Sequence, residues 1–357
     1  MDSGLENVVA AETALSDVKG DIGELSIKGW YVEKLAASMA FEDVAHLLWQ
    51  SAFDDLPVTQ ELGKRFGEAR VRAFQTLPNT DEVRSVIQYL RLGWAGQQDD
   101  ESLDTAIELA AGGLVYAAAG IRRFNGLSPI APDPALSSSA DFLRKITGNA
   151  PEAEKASALD AYLVTICDHG LNASTFAARV VSSTRAGLTS AVLGGLSALK
   201  GPLHGGAPGP VRDMVDEIGE PERAEAWIDA ALARGDRLMG FGHRVYRARD
   251  PRADALKSAA SRLPGTTGRI AFAEHIEREV LGKLRVKYPN RPLETNVEFY
   301  TAVLLEARDI VCEGFTSVFA CGRVLGWIAH AREQISEGRI VRPKSIYRGP
   351  MPELVDA

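Results

Sequence analysis

Apolar residues recur at the three- and four-residue spacing of a helix face through most of this chain, over 83–94, 102–121, 152–167, 172–185, 188–199, 221–234, 252–262, 268–285, 296–308 and 314–335. Strand-type alternation is confined to Gly20 to Tyr31, where Gly23 and Gly29 bracket it and predict a small hairpin. The pattern therefore predicts a mainly α fold. Between the helices, glycine and proline cluster at Gly201 to Pro210 (GPLHGGAPGP) and at Gly240 to Pro251. Such junctions let backbone approach a ligand closely and can act as hinges. Ser128 to Ser139, rich in Pro, Ser and Ala, reads as a loop.

A length of 357 residues fits one large or two medium domains with a sizeable core. The formal net charge of -8 argues against a general nucleic-acid binder, which needs a basic face, but leaves room for a basic pocket that takes a small anion. The N-terminal stretch MDSGLENVVAAETALSD carries acids early and lacks the apolar core of a secretory signal. The longest apolar candidate, Ala110 to Ile121, is too short for a membrane span and contains three glycines. Cys167, Cys312 and Cys321 fall inside apolar helical patterns and read as buried thiols of a reduced, cytoplasmic protein. Neither a GxxxxGK[ST] loop, an HExxH pair, a CxxC pair nor a GxSxG elbow is present, which lowers the prior for P-loop, zinc-protease and serine-hydrolase chemistry.

The candidate chemistry sits at helix ends. His204, between two helix ends in GPLHGGAPGP, is either an acid–base or hydrogen-bonding group facing a bound molecule or a solvent-facing loop residue. His243 lies in LMGFGHRVYRARDPR, with Gly240 and Gly242 before it and Arg244, Arg247, Arg249 and Arg252 after it. Asp250-Pro251 reads as an N-cap and first helical residue, so Arg252 falls in a first turn where the macrodipole disfavours a cation. An anion sharing that turn would account for it; so would a solvated basic turn paired with nearby acids. Arg323 shares a helix face with Phe319 and Trp327, which asks for a carboxylate partner, from protein or ligand, or for a side chain that snorkels to water. Asp168-His169-Gly170 ends an apolar helix that His169 can stabilise, and Asn172 can cap the next. Thr295 stands three residues before Glu298, the spacing of a capping box, and nothing in that spacing alone marks Glu298 as a base.

In order along the chain, DHGLNASTFAAR, GPLHGGAPGP, LMGFGHRVYRARDPR, ETNVEFYTAVLL, FACGRVLGWIAH and VRPKSIYRGP resemble the segments of the citrate synthase family, most closely its short, dimeric bacterial form (citrate synthase 2-like). The resemblance covers nearly the whole chain and is weakest from about Asp54 to Ser139. It implies a mainly α, two-domain fold, with residues 1–203 in a large domain, 204–308 in a small one, and 309–357 returning to the large domain near Arg308. It also implies a cytoplasmic homodimer acting in the tricarboxylic acid cycle, with no tightly bound cofactor, no metal, and a CoA thioester as substrate.

Carried over residue by residue, the resemblance makes Glu298 the base that deprotonates acetyl-CoA. His204 becomes the group that stabilises the enol, and His243 the one that polarises the ketone of oxaloacetate. His169, Arg252 and Arg323 would hold the oxaloacetate and citrate carboxylates, joined by Arg342 of the partner subunit. Arg247, Gly240 and Gly242 would lie toward CoA. One departure stands out: the family's usual base is aspartate, in NVDF-like segments, and this chain has NVEF. Two alternatives accompany the citrate synthase reading, namely a 2-methylcitrate synthase using propionyl-CoA and a catalytically weak regulatory protein that binds citrate or CoA.

Overall fold

The computed structural model describes residues 4–5, 8–80, 82–205, 208–306 and 310–351. The chain opens with an antiparallel sheet of β1 (Ser16–Lys19), β2 (Glu24–Ile27) and β3 (Trp30–Tyr31), in that order. Its first pair is the expected hairpin, begun four residues earlier than the glycine spacing suggests and extended by a third short strand. Helices α1 (Val32–Ser38), α2 (Phe41–Trp49), α3 (Thr59–Gln75), α4 (Val86–Ala95), α5 (Leu103–Phe124), α6 (Ser138–Thr147), α7 (Ala153–Ile166), α8 (Ala173–Ser182) and α9 (Leu188–Leu199) follow. Next come α10 (Pro208–Ile218), α11 (Pro221–Arg234), α12 (Pro251–Ser261), α13 (Thr267–Lys287) and α14 (Val297–Glu306), and then α15 (Cys312–Glu337). Among the described residues no helix is long and apolar enough to cross a membrane.

Two helices organise the core. α5 is buried along nearly its whole length and starts where the Ser102 hydroxyl accepts the Thr105 N–H at 3.2 Å. α15 crosses α5, α7, α8 and α9. A Cβ on Gly326 would collide with the Cys167 carbonyl oxygen, so only glycine lets α15 lie directly on the end of α7. Around that contact, Arg323 of α15 reaches the Ile166 carbonyl and His330 reaches Asp168. The expected small-domain segment contains α10 to α14, in which α11 packs on α13 and α14 on both α10 and α12; α12 also packs on α1 and α7. Its expected end near Arg308, like Gly206 beside His204, lies outside the described residues.

Helices α3 and α6 escaped the apolar pattern because their buried faces are partly polar. α3 buries Arg70 within a stripe of Leu62, Phe66, Ala69 and Ala73, and α6 buries Ser138, Ser139, Asp141 and Lys145 beside Phe142, Leu143 and Ile146. These faces meet through Arg70, which donates to Ser138 Oγ at 2.8 Å and pairs with Asp141 at 3.3 Å. The Ser128–Ser139 loop is correspondingly shorter than it reads, since Ser137 caps α6 and the helix begins at Ser138. α1 and α2 are too short for a periodicity to stand out. Of the three cysteines, Cys167 and Cys321 are buried as expected. Cys312 is not; it opens α15 half-buried and receives the Arg212 guanidinium at 2.9 Å.

Candidate active site

The loop after α7 carries the first histidine. Gly170, at φ 56°, turns the chain, and Asn172 caps α8 by accepting the Ser174 and Thr175 N–H groups at 3.1 Å each. Ser174 is then a node. Its Oγ accepts the Trp327 indole N–H at 3.2 Å, lies 2.7 Å from Asn172 Oδ1, and lies 3.0 Å from His204 Nε2. One hydroxyl proton serves two acceptors. Directed at Asn172, it leaves His204 donating from Nε2; turned to His204, it puts the ring proton on Nδ1. Burial pushes the His204 pKa down to about 4, with the charges of Arg323 and then Arg252 adding to it, so the ring is neutral.

His243 is fixed differently. Its Nδ1 accepts the backbone N–H groups of Val245 at 3.0 Å and Tyr246 at 3.1 Å, which leaves the proton of the neutral ring on Nε2. Burial, with the Arg252 charge, brings its pKa down to about 4. The His169 ring lies 5.6 Å from that of His243, and its Nε2 meets the Tyr246 hydroxyl at 3.1 Å. His169 is also held neutral, first by burial and then by Arg252, Arg323 and the other two histidines.

Two arginines supply the positive field. Asp250 caps α12, accepting the Arg252 N–H at 3.1 Å, and grips the same residue's guanidinium through Nε at 3.0 Å and Nη2 at 2.8 Å. Asp250 Oδ2 also accepts the Val297 N–H at 3.1 Å, tying α12 to the start of α14. The basic run is therefore not one solvated turn. Arg252 is buried against its own cap, Arg249 pairs with Asp254 and Glu277, and Arg244 and Arg247 are exposed. Arg323 is 1% exposed, donates Nε–H to the Ile166 carbonyl at 2.5 Å, and stacks on Phe319 at 4.9 Å. Among the described residues no carboxylate lies within ion-pair distance of it. Burial draws its pKa down to about 10, and Asp168 is the charge that most opposes this. Asp168 faces His330, which receives Arg179 on Nδ1 and therefore donates Nε2–H to Asp168 at 3.1 Å.

Glu298 stands in the first turn of α14. The capping box is corrected: the Thr295 hydroxyl donates to Glu277 at 2.6 Å, and Asn296 Oδ1 takes the Glu298 N–H at 3.0 Å. Thr295 is drawn off because Glu277, buried between α12, α13 and α14, also accepts Tyr300 at 2.7 Å and Arg249 at 2.6 Å. The Glu298 side chain takes no part in capping. Burial raises its pKa to about 7, against the opposing charges of Arg252 and Arg237. A carboxyl group near neutrality is suited to accept a proton from a weak carbon acid.

His169, His204, His243, Arg252 and Arg323 thus share one electrostatic site, with Glu298 against Arg252. Gly240 and Gly242 have φ of 86° and 82°, and their backbone is stitched to 294–296 just before α14. A Cβ there would press on Phe299 at 3.0 Å or on the tip of Leu293 at 2.8 Å, and the positive φ at both positions favours glycine whatever the space. Arg247 is exposed and donates its N–H to the Gly20 carbonyl, and Arg342 sits in an exposed extended segment after α15. Sequence reasoning missed Tyr246, Ser174, Asn296, Arg237 and the Asp168–His330 pair, and saw Asp250 only as a cap. Asp250 alone carried a usable signal: an acid at a cap two residues before a first-turn arginine.

A family model described as "Citrate synthase, C-terminal domain" matches residues 4–344. A protein of Mycobacterium tuberculosis named putative citrate synthase 2 is 37% identical over 364 residues, covering 99% of this chain and 95% of its own. Another from that organism, named 2-methylcitrate synthase, is 37% identical over 369 residues, covering 97% and 90%. Among solved structures, citrate synthase from Thermoplasma acidophilum, in a ternary complex with carboxymethyl coenzyme A and oxaloacetate, superposes with TM-score 0.86 at 26% identity, covering 99% of this chain and 97% of that one. A mainly helical fold matched from end to end, over a site of neutral histidines, buried arginines and a carboxyl group poised near neutrality, places the chain in the citrate synthase family of acyltransferases.

Proposed function

We propose that this enzyme condenses acetyl-CoA with oxaloacetate and hydrolyses the resulting citryl thioester to citrate and CoA. The observation that carries the reading is the pairing of Glu298, with a pKa near 7, with a neutral His243 whose only ring proton is on Nε2. Glu298 takes a proton from the methyl carbon of the thioester. Once the Ser174 hydroxyl turns from Asn172 Oδ1 to His204 Nε2, His204 offers Nδ1–H to the thioester oxygen as it becomes an enol. The enol carbon then attacks the ketone of oxaloacetate, whose oxygen takes the Nε2 proton of His243 as it becomes a hydroxyl, while the thioester carbonyl reforms and its enol proton returns to His204. Water finally displaces CoA from the new thioester.

Oxaloacetate is a dianion. Arg323, buried and without a carboxylate partner among the described residues, together with Arg252 and His169, supplies the charge and donors that hold it. Arg342 lies in an exposed segment, so its role falls to Arg342 of the partner subunit in a homodimer. The half-buried apolar face of α8 and α9, with Phe176, Val180 and Leu193, is consistent with such a dimer. Residues 204–308 would form the small domain closing over the substrates, hinged at the Gly-rich junctions, with Gly240, Gly242 and Arg247 toward CoA. With no helix suited to cross a membrane among the described residues, a cytoplasmic enzyme of the tricarboxylic acid cycle fits this chemistry.

A second reading, 2-methylcitrate synthesis from propionyl-CoA, has the support of the equally similar 2-methylcitrate synthase and uses the same residues. One extra methylene in an acyl pocket is worth only about 1–3 kcal/mol. Free thiol release from acetyl-CoA and propionyl-CoA, with and without oxaloacetate, separates the readings. A higher kcat/KM for propionyl-CoA selects the second, and no oxaloacetate-dependent thiol from either leaves a binding protein.

A further inference from the structure

The N-terminal sheet has no part in the chemistry above, yet its first strand touches both loops that carry the facing histidines. At the start of β1, Ser16 Oγ accepts the N–H of Gly170, the residue after His169, at 2.9 Å. Just beyond its end, the Gly20 carbonyl accepts the Arg247 N–H at 2.9 Å, in the loop that carries His243. The turn is seated on that loop's backbone. A Cβ on Gly20 would collide with the Val245 carbonyl oxygen, and one on Gly23 would come within 2.6 Å of the Arg249 oxygen. Val245 and Tyr246 are the residues whose N–H groups hold His243 Nδ1. The strand is anchored in turn: Ala14 N–H donates to Glu333 of α15 at 2.9 Å, Lys28 N–H to the Leu15 carbonyl at 2.7 Å, and Leu25 and Ile27 of β2 are fully buried.

We propose that Ser16 to Gly20 form a strut that sets the separation of His169 and His243, making Ser16 and Gly20 positioning residues for the dicarboxylate substrate. An extended strand is a stiff spacer of about 3.3 Å per residue, so contacts at its two ends fix the distance between the loops they hold. His204 is held instead by Ser174 and by its own N–H to the Gly201 carbonyl at 2.9 Å, neither of which belongs to the sheet. The strut therefore acts chiefly on the oxaloacetate side of the reaction and leaves His204 alone; its one link toward the thioester side is the Arg247 backbone at its Gly20 end. It rests on the function proposed above.

The test is steady-state kinetics on the full-length enzyme, by thiol release, with thermal melting alongside. Ser16→Ala removes the hydroxyl that accepts the Gly170 N–H and also holds the pKa of Asp168 down, and should raise the oxaloacetate KM about 3- to 10-fold with the acetyl-CoA KM unchanged. Ser16→Thr keeps the hydroxyl and should restore the oxaloacetate KM. Gly20→Ala, which presses on the Val245 carbonyl and removes no hydrogen bond, should raise the same KM. Unchanged oxaloacetate KM in Ser16→Ala and Gly20→Ala would overturn the strut. So would a Ser16→Thr enzyme as impaired as Ser16→Ala, or a parallel rise of both KM values with a falling melting temperature. A wild-type enzyme that releases no thiol in response to oxaloacetate would instead overturn the function, and the strut with it.

Discussion

The pH dependence of kcat/KM follows from Glu298. Its carboxyl group has a pKa of about 7 because it is buried, while Arg252 and, next, Arg237 pull the value back. A base works only when deprotonated, so kcat/KM should rise with pH through about 7 and level off above it. At pH 6 about one tenth of Glu298 is ionised, so kcat/KM should stand roughly tenfold below its plateau, with a further tenfold loss at pH 5. His204 and His243 are neutral down to about pH 4 and add nothing to this limb. Arg237→Met removes an exposed cation that favours the ionised carboxylate, so the limb should move to higher pH without a loss of plateau. The assay is thiol release at subsaturating acetyl-CoA and saturating oxaloacetate, from pH 5 to 9 at constant ionic strength. A limb near the ordinary glutamate value of 4.5, or no upward movement in Arg237→Met, would refute the reasoning.

Asp160 is held by the Phe41 N–H at 3.1 Å and the Ser139 hydroxyl at 2.5 Å, and burial raises its pKa to about 7. The folded state therefore prefers the protonated acid, and its contribution to stability, complete below the unfolded value of 3.8, is lost as pH rises through 7. Asp160→Asn keeps the acceptor, so its advantage over wild type in urea unfolding should grow by about 1–3 kcal/mol between pH 5 and 7, allowing for the group's accessible edge; a pH-independent difference would contradict this. Arg323→Met replaces a buried cation that has no carboxylate within ion-pair distance among the described residues. It should leave the melting temperature equal or higher while raising the oxaloacetate KM about 10- to 100-fold, and a large fall in melting temperature would show the guanidinium to be structural. Gly326→Ala drives a methyl group into the Cys167 carbonyl and should destabilise the protein by about 1–3 kcal/mol in urea unfolding.

The long helices were legible because each buries an apolar stripe, which single-sequence periodicity detects. Helices α3 and α6 were not, because charged groups sit in their buried faces, where Arg70 of α3 and Lys145 of α6 both pair with Asp141. The site was legible in part for similar reasons. Glycine at Gly240 and Gly242 and the Asp250-Pro251 cap are local signals, and Arg323 stood out as a charge on an apolar face. The Thr295 spacing misled because Glu277, 18 residues earlier, competes for its hydroxyl. Ser174, Tyr246 and His330 act through partners 30, 77 and 162 residues away, contacts that only the folded chain creates.

One substitution tests whether Glu298 is the base. Glu298→Gln keeps the shape of the side chain and the Asn296 cap on its N–H. Thiol release should fall about 10²- to 10⁴-fold, while oxaloacetate should bind in calorimetry with a Kd within about twofold of wild type. A Glu298→Gln enzyme that keeps its full rate would contradict the account and leave Glu298 an ordinary residue at the start of α14.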